Sequence, residues 1–397
     1  MRKLLIILST ALGALALGKG PDVTAASAIV IDADSGKVLF SKNADIPRYP
    51  ASTTKVMTGL LLAENTLPED TIVAPSDVDA ITGSKMHLKP GEKVSAGDML
   101  YALMLRSAND GCYAVALHIS GSVPAFAKLM NQRAQELGCT HTHFHNPNGL
   151  NDTQHLTTAH DLAMIARAAM NNDQFAQAVG TSQYQITRSI NQKDLLMVNK
   201  DKLLLWDSSA EGIKTGWTVP AGHCFVGSST RNGYRVISVV LKSDDWKKDT
   251  ENLWSWAFDN HDRELVKAAN DPIQSISVEN GAYENVIVAA PKDIYLTVPR
   301  GAQANYEITV KPADKVEAPI AVGDRVGTIT VMDSDGGKLY IPAIATQDVP
   351  KRSLVAAART GWTPWIGLTL VGCTLYVRGK NKKTRLYNAR LKKKAAY

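Results

Sequence analysis

Cysteine is scarce in this chain of 397 residues: four, at positions 112, 139, 224 and 373. None forms a C-x-x-C pair, and the three in the body are an odd number, so the sequence shows neither a zinc-ribbon spacing nor a disulfide framework. They read as isolated buried thiols. Acidic residues are missing from the last twenty positions, Arg378–Tyr397, which hold nine Lys or Arg. Taking those nine from the formal net charge of +6 leaves −3 for the rest, and a mildly acidic body argues against a nucleic-acid-binding surface. No repeat of solenoid period is present. Apolar residues make up 45% of the chain and charged residues 21%, which is material for a real core.

Two apolar runs stand at the ends. Leu4–Leu17 follows Arg2 and Lys3 and leads to the small residues Ala14, Ala16 and Gly18. That order of charge, apolar run and small residues is a secretory signal peptide, assigned to 1–24. A short membrane anchor is the other reading, although the run is short for a span. Thr360–Val377 carries no charge, has Trp362 and Trp365 at one end and Tyr376 at the other, and precedes the basic tail. This fits a membrane anchor with the tail inside, in a segment 351–397. Its glycines, threonines and Pro364 also fit an interfacial segment held by tail charge on anionic lipid. Together the ends give an exported protein anchored at the cell membrane.

Between the ends, two domains are expected. Ser27–Asp45 alternates apolar and polar residues around Asp34-Ser35-Gly36, a β-hairpin. Helices are expected from Thr54 to about Glu64, from a Ser95–Asp98 capping pattern through Ser107, from Ser122 and Pro124 to Gly138, and over "TAHDLAMIARAAMNN". The stretch 183–242 is strand-like, with a hairpin at Asn232-Gly233, and "ENLWSWAFDNH" is helical again. Near residue 263 the composition turns to short β-rich runs broken by Gly, Pro and Asp, a second, all-β domain over 263–350. The first domain, 25–262, is α/β with an antiparallel sheet flanked by helices.

Three short motifs carry the chemistry. Ser52 and Lys55, in "PASTTK", form the single S-x-x-K of the chain. Residues three apart share a helix face, so an ammonium can approach the hydroxyl. Taken alone, this reads as a helix cap with a solvated lysine before it reads as a nucleophile beside its base. Ser107-Ala108-Asn109 is an S-x-N, a pattern that also occurs at Ser41 and Ser189. Lys214-Thr215-Gly216 is the single K-T-G, at the start of a strand-like run. On an edge strand, Lys and Thr can hold a carboxylate and Gly lets a substrate backbone approach. S-x-x-K, S-x-N and K-T-G in that order mark penicillin-binding proteins and class A β-lactamases.

With these motifs, and with "AIVIDADSGKVLFSKNAD", "LKPGEKVSAGDML", "NPNGL", "TTAHDLAMIA" and "AGHCFVGS", nearly the whole chain resembles the D-alanyl-D-alanine carboxypeptidases, the low-molecular-mass penicillin-binding proteins of the type-5 group. The resemblance implies a serine β-lactamase/penicillin-binding-protein-like catalytic domain acting on peptidoglycan stem peptides, with no metal or organic cofactor. It implies Ser52 as nucleophile on the penultimate D-alanine, Lys55 as its base, and Ser107 as a proton relay to the departing D-alanine. Asn109 would bind the substrate amide, Lys214 and Thr215 the terminal carboxylate, with Gly216 beside them. The N–H groups of Ser52 and Trp217 would form an oxyanion hole, and β-lactams would acylate Ser52. A D,D-endopeptidase or transpeptidase of the same fold, a β-lactamase and a non-catalytic penicillin-binding scaffold are the rivals. No E-x-x-L-N element stands between Asn109 and Lys214, which argues against the class A β-lactamase. Where many relatives carry an arginine ahead of the last helix, this chain reads Asp245-Trp246-Lys247-Lys248. The alternating His141, His143 and His145 invite a metal reading, but no acidic or cysteine ligand set frames them. Cys112, just after S-x-N, has no paired histidine pattern to make it a nucleophile.

Overall fold

Ser27–Asp32 (β1) is apolar at alternate positions on both sides, and every residue of it is buried. Ile29 and Ile31 enter one core, Ala28 and Val30 another, as the period of two requires. The strand is therefore central to a three-layer arrangement. It pairs with Val38–Lys42 (β2), completing the expected hairpin. Three later strands, Ala210–Thr218 (β3), Gly222–Arg231 (β4) and Tyr234–Ser243 (β5), finish an antiparallel sheet of order β2-β1-β5-β4-β3. The β4–β5 turn is Asn232-Gly233, both at positive φ (50° and 75°), the turn that matches strand twist.

The computed structural model describes residues 20–335 and 337–352. The expected export signal and the anchor with its basic tail lie outside them, apart from their inner edges. Among the described residues no helix is long and apolar enough to cross a membrane. The chain divides into two units. The first takes the chain up to Val266 with Tyr295–Tyr306 and Met332–Leu339; the second takes Lys267–Ile294, Glu307–Val331 and the chain from Tyr340.

In the first unit, helices Lys55–Asn65 (α1), Asn109–Ser120 (α2) and Ala159–Met170 (α3) share one core, with α1 and α3 against the sheet and α2 packed on α1. Trp246–Asn260 (α4) covers the other, burying Leu253, Trp254 and Ala257 against Phe225 and Val240. Side-chain caps start several helices where the sequence places them. Ser95 Oγ accepts from the Asp98 N–H at 3.1 Å, Ser122 Oγ from Ala125 at 3.2 Å and Thr158 Oγ1 from Asp161 at 3.0 Å. One element departs from expectation. The helix expected from the Ser95 cap through Ser107 is regular only over Ala96–Tyr101, then widens into a π turn, Ala102–Arg106. It ends with Ser107 in the left-handed region (φ 63°, ψ 41°). A π turn needs an extra residue per loop, which re-aims the residue at its exit.

The second unit is all-β, as its broken β-rich runs imply. Its sheet runs in the order Gln274–Ser277, Asn285–Ala289, Lys338–Ala345, Arg325–Asp333, Tyr306–Pro312. Alternate residues Val286, Val288, Ile341 and Ala343 are buried in it.

A fully buried ion pair secures the loop beside the catalytic motifs. Arg188 Nε and Nη2 donate to Glu92 at 2.7 Å each, and the same guanidinium donates to the carbonyls of Met86 and His87. Both side chains are 0% exposed. The loop so held presents Thr82 and Ser84 to Asn109. Removing one partner leaves an uncompensated buried charge. Glu92→Gln is expected to destabilise the fold by about 3–5 kcal/mol, read by denaturant titration.

Candidate active site

Pro50-Ala51-Ser52 enters α1 through a tight 3-10 turn, Ala51–Thr54. Ala51 sits at φ 49°, a conformation that costs a non-glycine residue about 1–2 kcal/mol. Ser52 is not the helix cap. Its hydroxyl caps no backbone N–H at the start of either the turn or α1. The reading of a cap with a solvated lysine therefore fails on both halves, because Lys55 is 0% exposed.

The Lys55 amine has three near neighbours. It lies 2.8 Å from Asn109 Oδ1, 2.6 Å from the Asn148 carbonyl and 3.1 Å from Ser52 Oγ. Two of these, the amide and backbone oxygens, can only accept. A neutral amine has two N–H groups and one lone pair. The two carbonyl oxygens take both N–H groups, and the lone pair is left for the Ser52 O–H. Burial, with Lys200 adding to it, lowers the Lys55 pKa to about 8, against opposing contributions from Cys112 and Asp110. An amine so placed can take a proton from serine near neutral pH.

Ser107 faces the same space. Its Oγ is buried and, among the described residues, has no hydrogen-bond partner. A buried orphan hydroxyl at a strained backbone position is a group awaiting a ligand. Asn109, two residues on, opens α2. Its Oδ1 holds Lys55, and its Nδ2 donates to the Thr82 carbonyl at 2.7 Å.

Lys214, Thr215 and Gly216 lie on β3, the edge of the sheet. Lys214 is buried and donates to the Thr215 carbonyl at 3.0 Å. Burial, then the nearby Lys55 and Lys200, push its pKa well below the usual lysine range. Gly216 is required by space: a Cβ there would lie 3.0 Å from the backbone nitrogens of Ser52 and Thr53. Its absence lets the edge strand run against the Ser52 turn.

Ser52, Ser107, Thr215, Gly216 and Trp217 line one cleft of about 350 Å³. Lys55, Asn109 and Lys214 stand behind them, so all the motif residues converge. The sequence reading missed five further lining residues: Ser84, Lys200, His223, Cys224 and Trp246. Lys200 Nζ donates to Ser84 Oγ at 2.8 Å. His223 pairs across the hairpin with Trp217, so counting outward from the β3–β4 turn would have found it. Nothing local in the sequence marks Ser84 or Lys200. In the stretch that replaces the family arginine, Trp246 is the residue facing the cleft. Lys247 lies over the Trp206 ring at 4.4 Å, and Lys248 pairs with Glu251 at 3.9 Å.

Cys112 is fully buried, and burial pushes its thiol up to about 11, so it is inert at neutral pH. The histidines are otherwise engaged: His143 Nδ1 meets the Gln154 carbonyl and His145 Nδ1 the Asp152 carboxylate. Among the described residues no group of three His, Cys, Asp or Glu side chains is placed to hold a metal ion.

Comparison with known proteins agrees with this geometry. The family profile described as D-alanyl-D-alanine carboxypeptidase matches residues 16–245, and that of the penicillin-binding protein 5 C-terminal domain matches 262–351. The chain is 29% identical over 351 residues to D-alanyl-D-alanine carboxypeptidase DacF of Bacillus subtilis, covering 86% of this chain and 90% of that one. It is 31% identical over 349 residues to D-alanyl-D-alanine carboxypeptidase DacA of Escherichia coli, covering 83% and 85%. Among solved structures, penicillin-binding protein 5 from Haemophilus influenzae superposes with a TM-score of 0.63 at 27% identity, over 84% of this chain and 99% of that one. With its S-x-x-K, S-x-N and K-T-G residues gathered in one cleft, the chain belongs to the D-alanyl-D-alanine carboxypeptidase family of serine peptidases.

Proposed function

We propose the following roles for the cleft residues of this serine-type D-Ala-D-Ala carboxypeptidase. The Ser52 hydroxyl attacks the carbonyl of the penultimate D-alanine of a peptidoglycan stem pentapeptide. Lys55 takes its proton. The oxygen–carbon bond forms as the carbonyl oxygen gains negative charge, held by the N–H groups of Ser52 and Trp217. The carbon–nitrogen bond then breaks as Ser107 donates its proton to the departing D-alanine amine and takes up the one Lys55 holds, which returns Lys55 to its neutral form. Water enters, loses a proton to Lys55 and hydrolyses the ester, and Lys55 returns that proton to the freed Ser52 oxygen. Thr215 and Lys214 bind the terminal carboxylate, whose charge raises the Lys214 pKa and favours its ammonium. Asn109 keeps Lys55 oriented, and its second amide N–H serves the substrate amide. A β-lactam follows the same first step, but its leaving nitrogen stays tethered.

The observation that carries this reading is the placement of the buried Lys55 amine 3.1 Å from Ser52 Oγ with two carbonyl oxygens for its N–H groups, so that its neutral form turns the lone pair to Ser52. Export by the N-terminal signal and anchoring by the C-terminal segment would put the cleft on the extracytoplasmic face, where the stem peptides are. Trimming pentapeptides there removes crosslinking donors and so bears on cell-wall growth and cell shape.

Purified protein incubated with a peptide ending in D-Ala-D-Ala is expected to release free D-alanine, and Ser52→Ala is expected to release none and to lose covalent penicillin labelling. Labelling without D-alanine release would sink the carboxypeptidase reading. Transfer to an added amine would point to a transpeptidase, and rapid turnover of the penicillin adduct to a β-lactamase. Because only neutral Lys55 can act as base, the acylation rate is expected to rise about tenfold per pH unit below pH 8 and to level off above it. Stopped-flow acylation by a chromogenic β-lactam reads this, and a flat profile between pH 6 and 9 would remove Lys55 as the base.

A further inference from the structure

His155 belongs to none of the three motifs, yet it is buried, 1% exposed, directly beneath the Ser52 turn. Its Nδ1 accepts from the His145 backbone N–H at 2.9 Å, so that nitrogen carries no proton. The ring proton is then on Nε2, which lies 2.8 Å from Thr54 Oγ1 and donates to it. Thr54 Oγ1 in turn donates to the Ala51 carbonyl at 2.9 Å. The chain runs one way, from His145 N–H through the imidazole and the threonine hydroxyl to one carbonyl. Burial, together with Lys55, His143 and His145, and opposed by Asp152, lowers the His155 pKa to about 4, so the ring stays neutral and the direction holds.

The Ala51 carbonyl is one end of the Ala51–Ser52 peptide. A trans peptide is a rigid plane whose C=O and N–H point in opposite directions. Fixing the carbonyl on the α1 side therefore fixes the Ser52 N–H on the other side. There Gly216 leaves its gap, with the Ser52 nitrogen 3.0 Å from where a Cβ would be. The plane needs fixing, because Ala51 sits at φ 49°. Gly149 packs against the same pair: a Cβ on it would lie 1.8 Å from the Ala51 oxygen and 2.8 Å from Thr54 Oγ1.

We propose that His155 is a positioning residue that acts through Thr54 to lock the Ala51–Ser52 peptide plane and aim the Ser52 N–H at the oxyanion. This rests on Ser52 being the nucleophile and its N–H an oxyanion donor. A donor held for the oxyanion serves the transition state and not the bound substrate, so its misalignment lowers the acylation rate constant without weakening binding.

The test is stopped-flow acylation by a chromogenic β-lactam, which separates the binding constant from the acylation rate constant. His155→Asn retains an acceptor for the His145 N–H but has no donor reaching Thr54. His155→Gln places an amide N–H where Nε2 was. The Asn variant is expected to acylate at least about tenfold more slowly with its binding constant within about threefold of wild type. The Gln variant is expected to stay within about threefold in both. Thr54→Val, which keeps the shape and removes the hydroxyl, is expected to match the Asn variant and reads the same link if that variant does not fold. Full-rate acylation by His155→Asn or Thr54→Val overturns the proposal. Equal loss in the Asn and Gln variants also overturns it, since that marks mere packing. Failure of the wild-type protein to be acylated would instead remove the nucleophile reading itself.

Discussion

Everything in the cleft depends on burying one lysine. In water Lys55 would be an ammonium at neutral pH and useless as a base. Placed at 0% exposure, with two carbonyl oxygens for its N–H groups, its neutral form becomes accessible and its lone pair has a single direction left. The partners come from different parts of the fold: Asn109 from the start of α2 and Asn148 from the loop ahead of α3. The lowered pKa of Lys55 is therefore a product of tertiary packing. Neither partner lies near "PASTTK" in sequence, which is why that stretch alone reads as a helix cap.

Backbone strain is distributed around the same point. Ala51 and Ser107, neither of them glycine, both occupy the left-handed region, and each lies at a cleft-forming turn. Such conformations persist only where the surroundings over-determine them. For Ser107 the π turn before it and the Asn109 helix start after it do this. For Ala51 it is done by the Thr54 hydroxyl and the close approach of Gly149. Rigid elements on all sides hold the hydroxyls of Ser52 and Ser107 in one space before any substrate arrives, the preorganisation that serine chemistry needs.

Much of this was legible in the sequence, and the parts that were not share a cause. The hairpin of β1 and β2, the Ser122 and Thr158 caps and the Asn232-Gly233 turn follow from local rules, and the structure has them. The motif residues were legible as a set because their order is specific, and all of them converge on one cleft. The π turn was not legible, since the apolar spacing of "DMLYALMLRS" matches an ordinary helix and only tertiary packing decides where a turn widens. Ser84 and Lys200 were not legible because each is an ordinary polar residue placed by a long-range contact with the other. His155 was hidden for a different reason: its function lies in which nitrogen bears the proton, and that is set by the backbone of His145.

The stretch that departs from the family arginine bears on how the cleft handles charge. Its lysines are drawn away, Lys247 onto Trp206 and Lys248 toward Glu251, and the residue left facing the cleft is an uncharged Trp246. On the opposite wall Lys214 is buried beside two other lysines, and mutual repulsion adds to desolvation in depressing its pKa. A bound carboxylate changes this balance, because a nearby anion favours the protonated form of Lys214. In the proposed mechanism the bound carboxylate therefore favours the charged form of the lysine that holds it. A permanently charged arginine in that stretch would offer its charge with or without a ligand, whereas the charge of Lys214 is favoured by the carboxylate it binds.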